Sequence, residues 1–386
     1  MSPDGKKNIV ILGSTGSVGL NACKVASSLK DKINVVGVAA NYNAEKVAKQ
    51  VKEFGCTMAS LSDERYLPHL KKLLPPSCKA LGGQTGLLEL ATHPDVDMIL
   101  CSIVGTGGLL PVIEGIKCGK SIALASKEVL VMAGSTVMGL VKKHAVPILP
   151  VDSEHSALFQ CLNGLDSSQA KRLILTASGG PFRKKTLEEM QNATWENAIK
   201  HPVWSMGEKV SLDSATLMNK ALEMVEAHYL FGCPEEKIDV VIHPQAKIHS
   251  RVEFLDGSIS AQISVPDMRF PIQCAYSWPE RWQGDLPRFD FKDLMNMEFE
   301  VPDTEKFPSL DFARFAIREG GTMPCVMNAA NEVAFQKFKK GEIFLPGIWK
   351  LIENTLSQHK TVKNPTFDEI LEADRWARYT AENITV

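Results

Sequence analysis

The amino-acid sequence predicts an α/β protein with an amino-terminal parallel sheet, a central α+β region and a carboxyl-terminal helical bundle. Strand-like and helix-like segments alternate over residues 1–150, which is typical of a parallel sheet covered on both faces. Hairpin-like strands replace this pattern after residue 151, and residues 309–386 are helical and poor in strands. At 386 residues the chain is too long for one core, since a domain holds about 100–200 residues.

The first region contains five strand-like segments of apolar and β-branched residues. They are predicted at residues 8–12, 33–40, 98–103, 121–124 and 146–151. A helix is predicted at residues 21–30, between the first two strands. We therefore expect one domain over residues 1–150.

The second region mixes strands with one long helix. Strands are predicted at residues 170–176 and 240–242, and a hairpin at 248–254 and 258–263 around the turn Asp256-Gly257. The helix is predicted at residues 215–231. We expect a second domain over residues 151–285.

Prolines and acids between residues 279 and 308 indicate a linker, which we place at 286–308. The remaining segments predict a helical domain over residues 309–386. Its helices are expected at residues 311–318, 325–339, 346–358 and 367–380.

Composition and charge exclude several classes of protein. Apolar residues make up 44% and charged residues 23% of the chain, which is usual for globular proteins and not for disordered, collagen-like or coiled-coil chains. The net charge of −2 gives no general attraction to nucleic acid or anionic lipid. No apolar run approaches the ~20 residues of a membrane span. We expect a small-molecule partner, and neither a nucleic acid nor a membrane.

The cysteines and the start of the chain bear on the compartment. Nine cysteines are scattered without a CxxC pair, which favours a reducing environment and buried thiols. The short polar start, residues 1–7, runs directly into an apolar strand, so we expect no signal or transit segment.

Three glycines follow the first predicted strand and open the first predicted helix: Gly13, Gly16 and Gly19. Glycines permit a tight turn and a close backbone approach, while the helix start offers free N–H groups to a pyrophosphate. The spacing is GxxGxxG, not the commoner GxGxxG, and a purely structural turn remains the alternative. The placement between strand and helix predicts a Rossmann-like dinucleotide-binding domain.

The end of the second predicted strand indicates which dinucleotide binds. Binders of NAD usually carry a carboxylate there for the ribose 2′-OH. This chain has Asn41, Tyr42 and Asn43, with no carboxylate before Glu45 and with Lys46 as the nearest cation. We expect NADP(H).

Three acidic side chains suggest a metal site. Asp152 and Glu154 follow an apolar strand, and an extended chain would point them to the same side. In the helix 215–231, Glu223 shares a face with Asn219, and Asp213 or Ser214 is expected to cap its start. An all-oxygen set suits Mg²⁺ or Mn²⁺ and argues against zinc. The alternatives are an acid pair at a helix start and a solvated polar face.

Two further segments carry ambiguous signals. Ser178 precedes Gly179-Gly180, which predicts either an anion cradle or a turn without function. The segment 201–207 combines Trp204, Met206 and a glycine, which suits a loop that closes over a ligand, although a tryptophan in an ordinary core is an alternative.

Eight ordered motifs resemble the 1-deoxy-D-xylulose 5-phosphate reductoisomerase family over nearly the whole chain. They are LGSTGSVG at 12–19, SKE at 126–128, PVDSEH at 150–155, SGGPFR at 178–183, HPVWSMG at 201–207, LDSATLMNKALE at 212–223, HPQAKIHS at 243–250 and PDMR at 266–269. The resemblance implies NADPH- and divalent-metal-dependent isomerisation, by retro-aldol and aldol steps, and reduction to 2-C-methyl-D-erythritol 4-phosphate for isoprenoid precursors. It also implies a homodimer and a bacterial cytoplasmic protein, although a processed plastid protein would look alike.

The same resemblance assigns residues. Those implied for the cofactor are Thr15, Gly16, Ser17, Val18, Asn41, Tyr42, Asn43, Ser126, Glu128, Gly207 and Met268. Those implied for the substrate are Lys127, Ser153, Glu154, Ser178, His201, Ser214, Asn219, Lys220 and Glu223. Asp152, Glu154 and Glu223 match the metal ligands and, with Lys127, the catalytic set, and Trp204 and Met206 match a mobile lid. The chain departs from the family at Asn41 and Tyr42, where glycine and a basic or small polar residue are frequent, and at Ser126, where asparagine is common.

Two other functions fit parts of the pattern. One is a different two-domain NADP-dependent dehydrogenase that acts on a small phosphorylated or semialdehyde substrate, and the semialdehyde enzyme requires a catalytic thiolate. The other is a dinucleotide-sensing binding protein, which would have no need of three acidic residues.

Overall fold

The structure, a computed structural model, describes residues 5–201, 203, 206–290, 292 and 296–386. Two compact units divide the chain. The first comprises residues 1–129, 137–156 and 267–287, and the second comprises 130–136, 157–266 and 288–386. The predicted domain boundaries near residues 150, 285 and 308 divide the chain differently, and they stay a prediction.

The first unit is built on a seven-stranded sheet in which every neighbouring pair is parallel. Its strands are β1 (Lys7–Leu12), β2 (Ile33–Ala40), β3 (Met58–Leu61), β4 (Lys79–Gly82), β5 (Met98–Cys101), β6 (Ser121–Leu124) and β7 (Ile148–Pro150). The order is β4-β3-β2-β1-β5-β6-β7. This confirms the predicted α/β class, and the sequence missed only the short strands β3 and β4 of this sheet.

Helices lie along the strands of this sheet. They are α1 (Ser17–Ser28), α2 (Ala44–Phe54), α3 (Leu67–Leu73), α4 (Gly83–Thr92), α5 (Leu109–Lys117) and α12 (Arg269–Ser277). Two further helices, α6 (Glu128–His144) and α7 (Ser153–Leu162), follow β6 and β7, and the residues of each are divided between the two units. Ile9, Val10, Ile11 and Leu12 of β1 have no exposed surface, as expected of a strand covered on both faces. The strand order reverses between β1 and β5, which places a ligand crevice at the carboxyl ends of these two strands.

The second unit is built on a four-stranded mixed sheet and a group of helices. The strands are β8 (Ala170–Ala177), β9 (Ile238–Ile242), β10 (Ile248–Phe254) and β11 (Ile259–Ile263), in the order β11-β10-β8-β9. The helices are α8 (Leu187–Gln191), α9 (Trp195–Ala198), α10 (Glu208–Ala215), α11 (Met218–Phe231), α13 (Ser309–Glu319), α14 (Met323–Lys339), α15 (Leu345–Gln358) and α16 (Phe367–Asn383). The predicted hairpin β10–β11 and the four carboxyl-terminal helices are present.

One prediction in this unit is wrong. The sequence indicated an unbroken helix over residues 215–231, whereas the structure has α10 and α11 with a break at Thr216 and Leu217. Leu217 has a φ of 59°, in the left-handed region. The Thr216 carbonyl accepts hydrogen bonds from Ser309 Oγ at 2.7 Å and from Trp349 Nε1 at 3.3 Å. Contacts with distant residues therefore hold a break that the local sequence disfavours.

Candidate active site

Two of the three glycines after β1, Gly13 and Gly19, occupy positions that a side chain would obstruct. Gly13 has a φ of 90°, and a Cβ on it would lie 2.7 Å from the Ser102 carbonyl oxygen. A Cβ on Gly19 would lie 2.2 Å from the Gly13 carbonyl oxygen. Gly16 is the cap residue of α1 and is exposed. The loop therefore turns tightly, packs against the start of α1 and leaves that start open to solvent.

The start of α1 offers backbone donors without a competing side chain. Its cap residue is glycine, and the first N–H that bonds back along the helix is that of Leu20, to the Gly16 carbonyl at 2.8 Å. The N–H groups of Ser17 and Val18 precede it. Thr15 is half-buried and Ser17 is exposed beside them. This arrangement is suited to an anion such as a pyrophosphate.

The residues after β2 lie at the same edge of the sheet as the glycine loop after β1, because β1 and β2 are adjacent parallel strands. Asn43 caps α2, since its side chain accepts from the Lys46 N–H at 3.0 Å. Asn41 and Tyr42 are exposed, and the Tyr42 ring packs against that of Tyr66 with 5.8 Å between centroids.

Ser126 and Glu128 lie at the start of α6. The Ser126 side chain is buried, and its hydroxyl donates to the Ile103 carbonyl oxygen at 2.5 Å. Glu128 is the first residue of the helix and is half-buried. The Ser126 hydroxyl is therefore committed to the backbone of the strand end.

Asp152 and Glu154 do not lie in an extended chain, as the sequence prediction assumed. The Asp152 carbonyl accepts from the Ser156 N–H at 2.9 Å, so Asp152 stands at the start of α7 and Glu154 in its first turn. The alternative interpretation from sequence, an acid pair at a helix start, describes the local structure. The Ser153 hydroxyl donates to the Glu154 carboxylate.

Lys127 holds the first of these acids. Its Nζ lies 2.5 Å from Asp152 Oδ2, and both side chains are largely buried. Lys127 precedes α6 and Asp152 follows β7, so adjacent strands β6 and β7 bring the two residues to one edge of the sheet.

In the second unit, the break between α10 and α11 changes the roles of two predicted residues. Asp213 and Ser214 do not cap the helix that carries Glu223, because both lie in the last turn of α10. Asp213 is buried and accepts from Asn331 Nδ2 at 3.0 Å and from Lys209. The cap position of α11 is Leu217, whose apolar side chain makes no cap hydrogen bond, and the Met218 N–H donates to Thr216 Oγ1 at 3.5 Å. Asn219 and Lys220 lie in the first turn.

Glu223 is buried one turn into α11. Its side chain is 1% exposed. Asn219 Nδ2 donates to Glu223 Oε1 at 2.5 Å, and Lys220 forms an ion pair with Oε2. The predicted i, i+4 pair is confirmed as a contact, and the structure adds Lys220 as a second donor to the same carboxylate.

Ser178 follows β8 and pairs with His201. Its Oγ lies 2.8 Å from His201 Nε2 and accepts from the Gly180 N–H at 3.3 Å. His201 Nδ1 accepts from the Val203 N–H at 3.2 Å, which assigns the ring proton to Nε2. Burial lowers the pKa of His201 to about 4, so the ring is neutral near pH 7. The Ser178 hydroxyl thus accepts two hydrogen bonds and keeps its own proton for a ligand.

Gly180 brings the Ser178 loop to α10. It has a φ of 66°, and a Cβ on it would lie 2.5 Å from the Ser214 carbonyl oxygen. A side chain at this position would push Ser178 and Ser214 apart. The close approach to Ser214 therefore explains why glycine stands at this position, which the sequence alone left open.

Three remaining predicted residues are placed separately. Met206 is half-buried, and Gly207 is exposed at the cap of α10. Met268 precedes α12 in the first unit and is half-buried. Trp204 of the predicted lid lies outside the described residues.

Sequence reasoning missed the residues that hold the α10–α11 break: Leu217, Ser309 and Trp349. A leucine in the left-handed region carries no local signal, because leucine favours helix. Ser309 and Trp349 lie 93 and 133 residues from Thr216 along the chain.

The cysteines argue against a thiol-dependent dehydrogenase. All nine are free, and six are buried. Burial raises the pKa of Cys78, Cys161 and Cys233 to about 11, which disfavours the thiolate. No cysteine is needed to explain the geometry described above.

Three family models cover most of the chain. The model of 1-deoxy-D-xylulose 5-phosphate reductoisomerase matches residues 9–134. The carboxyl-terminal domain models of the same enzyme match residues 148–231 and 263–380.

Named relatives match over nearly the full length. The 1-deoxy-D-xylulose 5-phosphate reductoisomerase of Pelotomaculum thermopropionicum is 48% identical over 96% of this chain and 97% of its own. The enzyme named 1-deoxy-D-xylulose 5-phosphate reductoisomerase 1 of Bacillus thuringiensis is 47% identical over 98% of this chain and 99% of its own.

Solved structures agree in fold. The Zymomonas mobilis 1-deoxy-D-xylulose 5-phosphate reductoisomerase in complex with NADPH superimposes with a TM-score of 0.93 at 40% identity, covering 98% of each chain. A DOX-P reductoisomerase in complex with NADPH, fosmidomycin and magnesium gives a TM-score of 0.90 at 36% identity, covering 97% of each. The chain belongs to the 1-deoxy-D-xylulose 5-phosphate reductoisomerase family.

Proposed function

We infer that the chain catalyses the NADPH- and divalent-metal-dependent isomerisation and reduction of 1-deoxy-D-xylulose 5-phosphate to 2-C-methyl-D-erythritol 4-phosphate. This reaction belongs to the synthesis of isoprenoid precursors. The observation that carries the inference is the full-length match at 48% identity to a named reductoisomerase, together with a dinucleotide-type loop at Gly13–Gly19.

We propose that NADPH binds at the carboxyl ends of β1 and β2. The supporting observations are the open start of α1 and the strand order, which reverses beside β1. The absence of a carboxylate in residues 41–43 suits a 2′-phosphate, and the residues proposed for the cofactor are Thr15, Gly16, Ser17, Val18, Asn41, Tyr42, Asn43, Ser126, Glu128, Gly207 and Met268.

We propose that Asp152, Glu154 and Glu223 hold Mg²⁺ or Mn²⁺. All three side chains offer only oxygen atoms as ligands, which suits a hard cation. Because Glu223 is buried, its charged carboxylate requires a positively charged partner. Lys127 and Lys220 already supply positive charge to Asp152 and Glu223. When bound, the ion supplies Lewis-acid polarisation of substrate oxygens.

The substrate phosphate is proposed to bind Ser178, His201, Ser214, Asn219 and Lys220. The Ser178 hydroxyl has a proton to donate, because it accepts from both His201 and Gly180. The start of α11 adds the positive end of a helix dipole. Binding at the phosphate, away from the reacting carbons, orients those carbons for reaction.

Lys127 and Ser153 are proposed to contact the substrate hydroxyl and carbonyl oxygens. The Lys127 ammonium is 2.5 Å from Asp152 and 12% exposed, so it is fixed in position and partly shielded from water. A positioned ammonium can donate a proton to a developing oxyanion. Met206 and Trp204 are proposed to close over the substrate and exclude water.

We propose a homodimer that uses the outer face of β11. This strand is an edge of its sheet, and its side chains alternate between exposed and half-buried. Ile259 is 55% exposed and Ile263 is 41% exposed, on the same face. Exposed apolar side chains on an edge strand favour burial against another chain. Light scattering should give twice the chain mass for the native protein, and the mass of one chain for Ile259→Lys.

The bacterial cytoplasm is proposed as the compartment. The named relatives above come from bacteria, and nine free cysteines suit a reducing environment. Among the residues that the structure describes, none of the helices combines the length and apolar character that a membrane span requires.

The activity is tested by following NADPH absorbance after addition of 1-deoxy-D-xylulose 5-phosphate. We expect oxidation that stops when EDTA is added and resumes with excess Mg²⁺ or Mn²⁺. Oxidation that continues unchanged in EDTA would contradict the metal dependence, and the absence of oxidation with metal present would contradict the function.

A further inference from the structure

Gln50 lies buried in α2 and makes two hydrogen bonds to a single residue of the glycine-rich loop. Ser14 Oγ donates to Gln50 Oε1 at 2.7 Å, and Gln50 Nε2 donates to the Ser14 carbonyl oxygen at 2.9 Å. Gln50 is 6% exposed and Ser14 has no exposed surface. This pair of bonds fixes both the position and the orientation of the Ser14 peptide group.

The bonds of Ser14 leave it no polar group for a ligand. Its N–H donates to the Ala39 carbonyl at 2.8 Å, and its hydroxyl and carbonyl both face Gln50. The orientation of the Gln50 amide is also fixed, because the opposite one would set its oxygen against the Ser14 carbonyl. Ser14 therefore supports the loop, and the N–H groups at the start of α1 remain open.

The loop is held from two sides. On the β5 side, Ser102 Oγ lies 3.0 Å from the Leu12 carbonyl oxygen and 3.3 Å from that of Gly13. On the α2 side, Gln50 supplies the hydrogen bonds. The other buried residues of α2 are Ala44, Val47, Ala48 and Val51, so packing alone would be served by another apolar residue in place of Gln50. A buried amide costs free energy unless its bonds are made, and the two shorter bonds of Gln50 go to the loop, while its Nε2 also donates to Cys23 Sγ of α1 at 3.5 Å.

We propose that Gln50 is a positioning residue for the dinucleotide, an inference that rests on the function proposed above. Gln50 fixes Ser14, so that the open N–H groups of Ser17 and Val18 keep the spacing that a pyrophosphate requires. Asn43 caps the same helix at the ribose end. Helix α2 thereby sets the distance between the phosphate-binding and ribose-binding parts of the cofactor site.

The test compares a variant that removes the hydrogen bonds of the Gln50 side chain with a variant that removes a different hydrogen bond to α2. Gln50→Met fills the same space without donor or acceptor. Ser27→Ala is the matched control, because Ser27 Oγ donates to Glu53 Oε1 at 2.7 Å and so joins α1 to α2 without touching the loop. NADPH binding is measured by titration of its fluorescence, and turnover is measured at saturating NADPH and Mg²⁺.

For Gln50→Met we expect the Kd of NADPH to rise about tenfold or more, while kcat stays within about twofold of the wild type. Ser27→Ala should leave both unchanged. A Kd for Gln50→Met within twofold of the wild type, or an equal rise in Ser27→Ala, would overturn the proposal. A merely structural role would lower kcat together with the melting temperature.

A second variant keeps the test decisive if Gln50→Met does not fold. Gln50→Glu preserves size and can accept from the Ser14 hydroxyl, but it cannot donate to the Ser14 carbonyl, and we expect an intermediate rise in Kd. In a double-mutant cycle, adding Ser14→Ala to a Gln50 variant should change the Kd less than Ser14→Ala alone. Independent effects would overturn the pairing. Failure of the wild type to bind NADPH would contradict the proposed function, whereas binding that is insensitive to Gln50 contradicts only this inference.

Discussion

Two helix starts, α1 in the first unit and α11 in the second, are both proposed to bind an anion, and they are built in opposite ways. The start of α1 is made by backbone, with Gly13, Gly16 and Gly19 within seven consecutive positions. The start of α11 depends on Leu217 in a left-handed conformation that costs about 1–2 kcal/mol. Ser309 and Trp349 hold that break from α13 and α15.

The difference shows which substitutions each helix start should tolerate. At α1, an added Cβ interferes directly with backbone, so the loop tolerates little. At α11, the side chains proposed to bind the phosphate lie on a turn that distant residues support. The buried Glu223 carboxylate is paired with the Lys220 ammonium and accepts a hydrogen bond from Asn219. The predictions below separate the two halves.

The largest effect is expected from Glu223→Gln. Removing the charge of a buried proposed metal ligand should reduce turnover by roughly a thousandfold or more, since the metal contributes several kcal/mol to the transition state. Calorimetry should show loss of Mn²⁺ binding, while the Kd of NADPH stays within twofold because the α1 loop is untouched.

Glu236→Gln is the control for this change. Glu236 is exposed in the same unit, and its variant removes the same charge. Turnover by Glu223→Gln within tenfold of the Glu236→Gln level would reject the assignment of Glu223 to the metal.

The reciprocal experiment is Gly19→Ala. Its Cβ would lie 2.2 Å from the Gly13 carbonyl oxygen, so the loop must move, and NADPH binding should weaken by roughly a hundredfold, or about 2–3 kcal/mol. Mn²⁺ binding should persist. The control is Gly139→Ala in α6, where nothing lies within 4 Å of the added methyl group. Equal NADPH affinity in the two variants would show that the loop does not bind the cofactor.

A third prediction concerns His201 and acid. Its folded pKa of about 4 lies below the ordinary value of 6.5, so the unfolded chain takes up a proton first as the pH falls. The free energy of unfolding should therefore fall as the pH is lowered from 6.5 to 4, and this fall should be smaller in His201→Gln. His249, whose pKa burial also lowers to about 4, accounts for a further part in the same window.

Urea unfolding of the wild type and of His201→Gln at pH 7 and pH 5 measures this change in stability. The wild-type midpoint should fall more between these values than that of His201→Gln, and the control His69→Gln, at an exposed histidine, should match the wild type. Parallel losses in wild type and His201→Gln would refute the assignment.

The contrast between the two helix starts also explains what the sequence could predict. The glycine loop and β2 were predictable because their signals are local: glycine spacing, and a run of β-branched residues at Ile33–Ala40. The strands β3 and β4 contain no β-branched or aromatic residue, so they lack the composition that indicated the equally short β5 and β6. The i, i+4 spacing predicted that Asn219 and Glu223 share a helix face, and the structure confirms that their side chains are in contact.

The break at Leu217 could not be predicted from its neighbours. Leu217 and Met218 are strong helix formers, and the bonds that stop the helix come from residues about 93 and 133 positions away. Likewise, nothing in the local pattern shows that Gln50 contacts Ser14, 36 residues earlier. The residue types of the site can be recognised in the sequence, whereas its shape depends on contacts between residues that are far apart in the chain.

The smallest effect is expected at Lys46, which tests the ribose end of the first helix start. No cation stands in residues 41–43, and Lys46 lies in the first turn of α2, beside the cap Asn43. An exposed ammonium near a 2′-phosphate contributes little because water and salt screen it, so Lys46→Gln should raise the KM for NADPH about two- to fivefold and leave that for NADH unchanged. Lys49→Gln, one turn further along the helix, is the control. The KM of Lys46→Gln for NADPH should approach that of the wild type as NaCl is raised to about 1 M, since the Debye length then falls to ~3 Å. A persistent difference at high salt would mean that Lys46 acts through structure and not through charge.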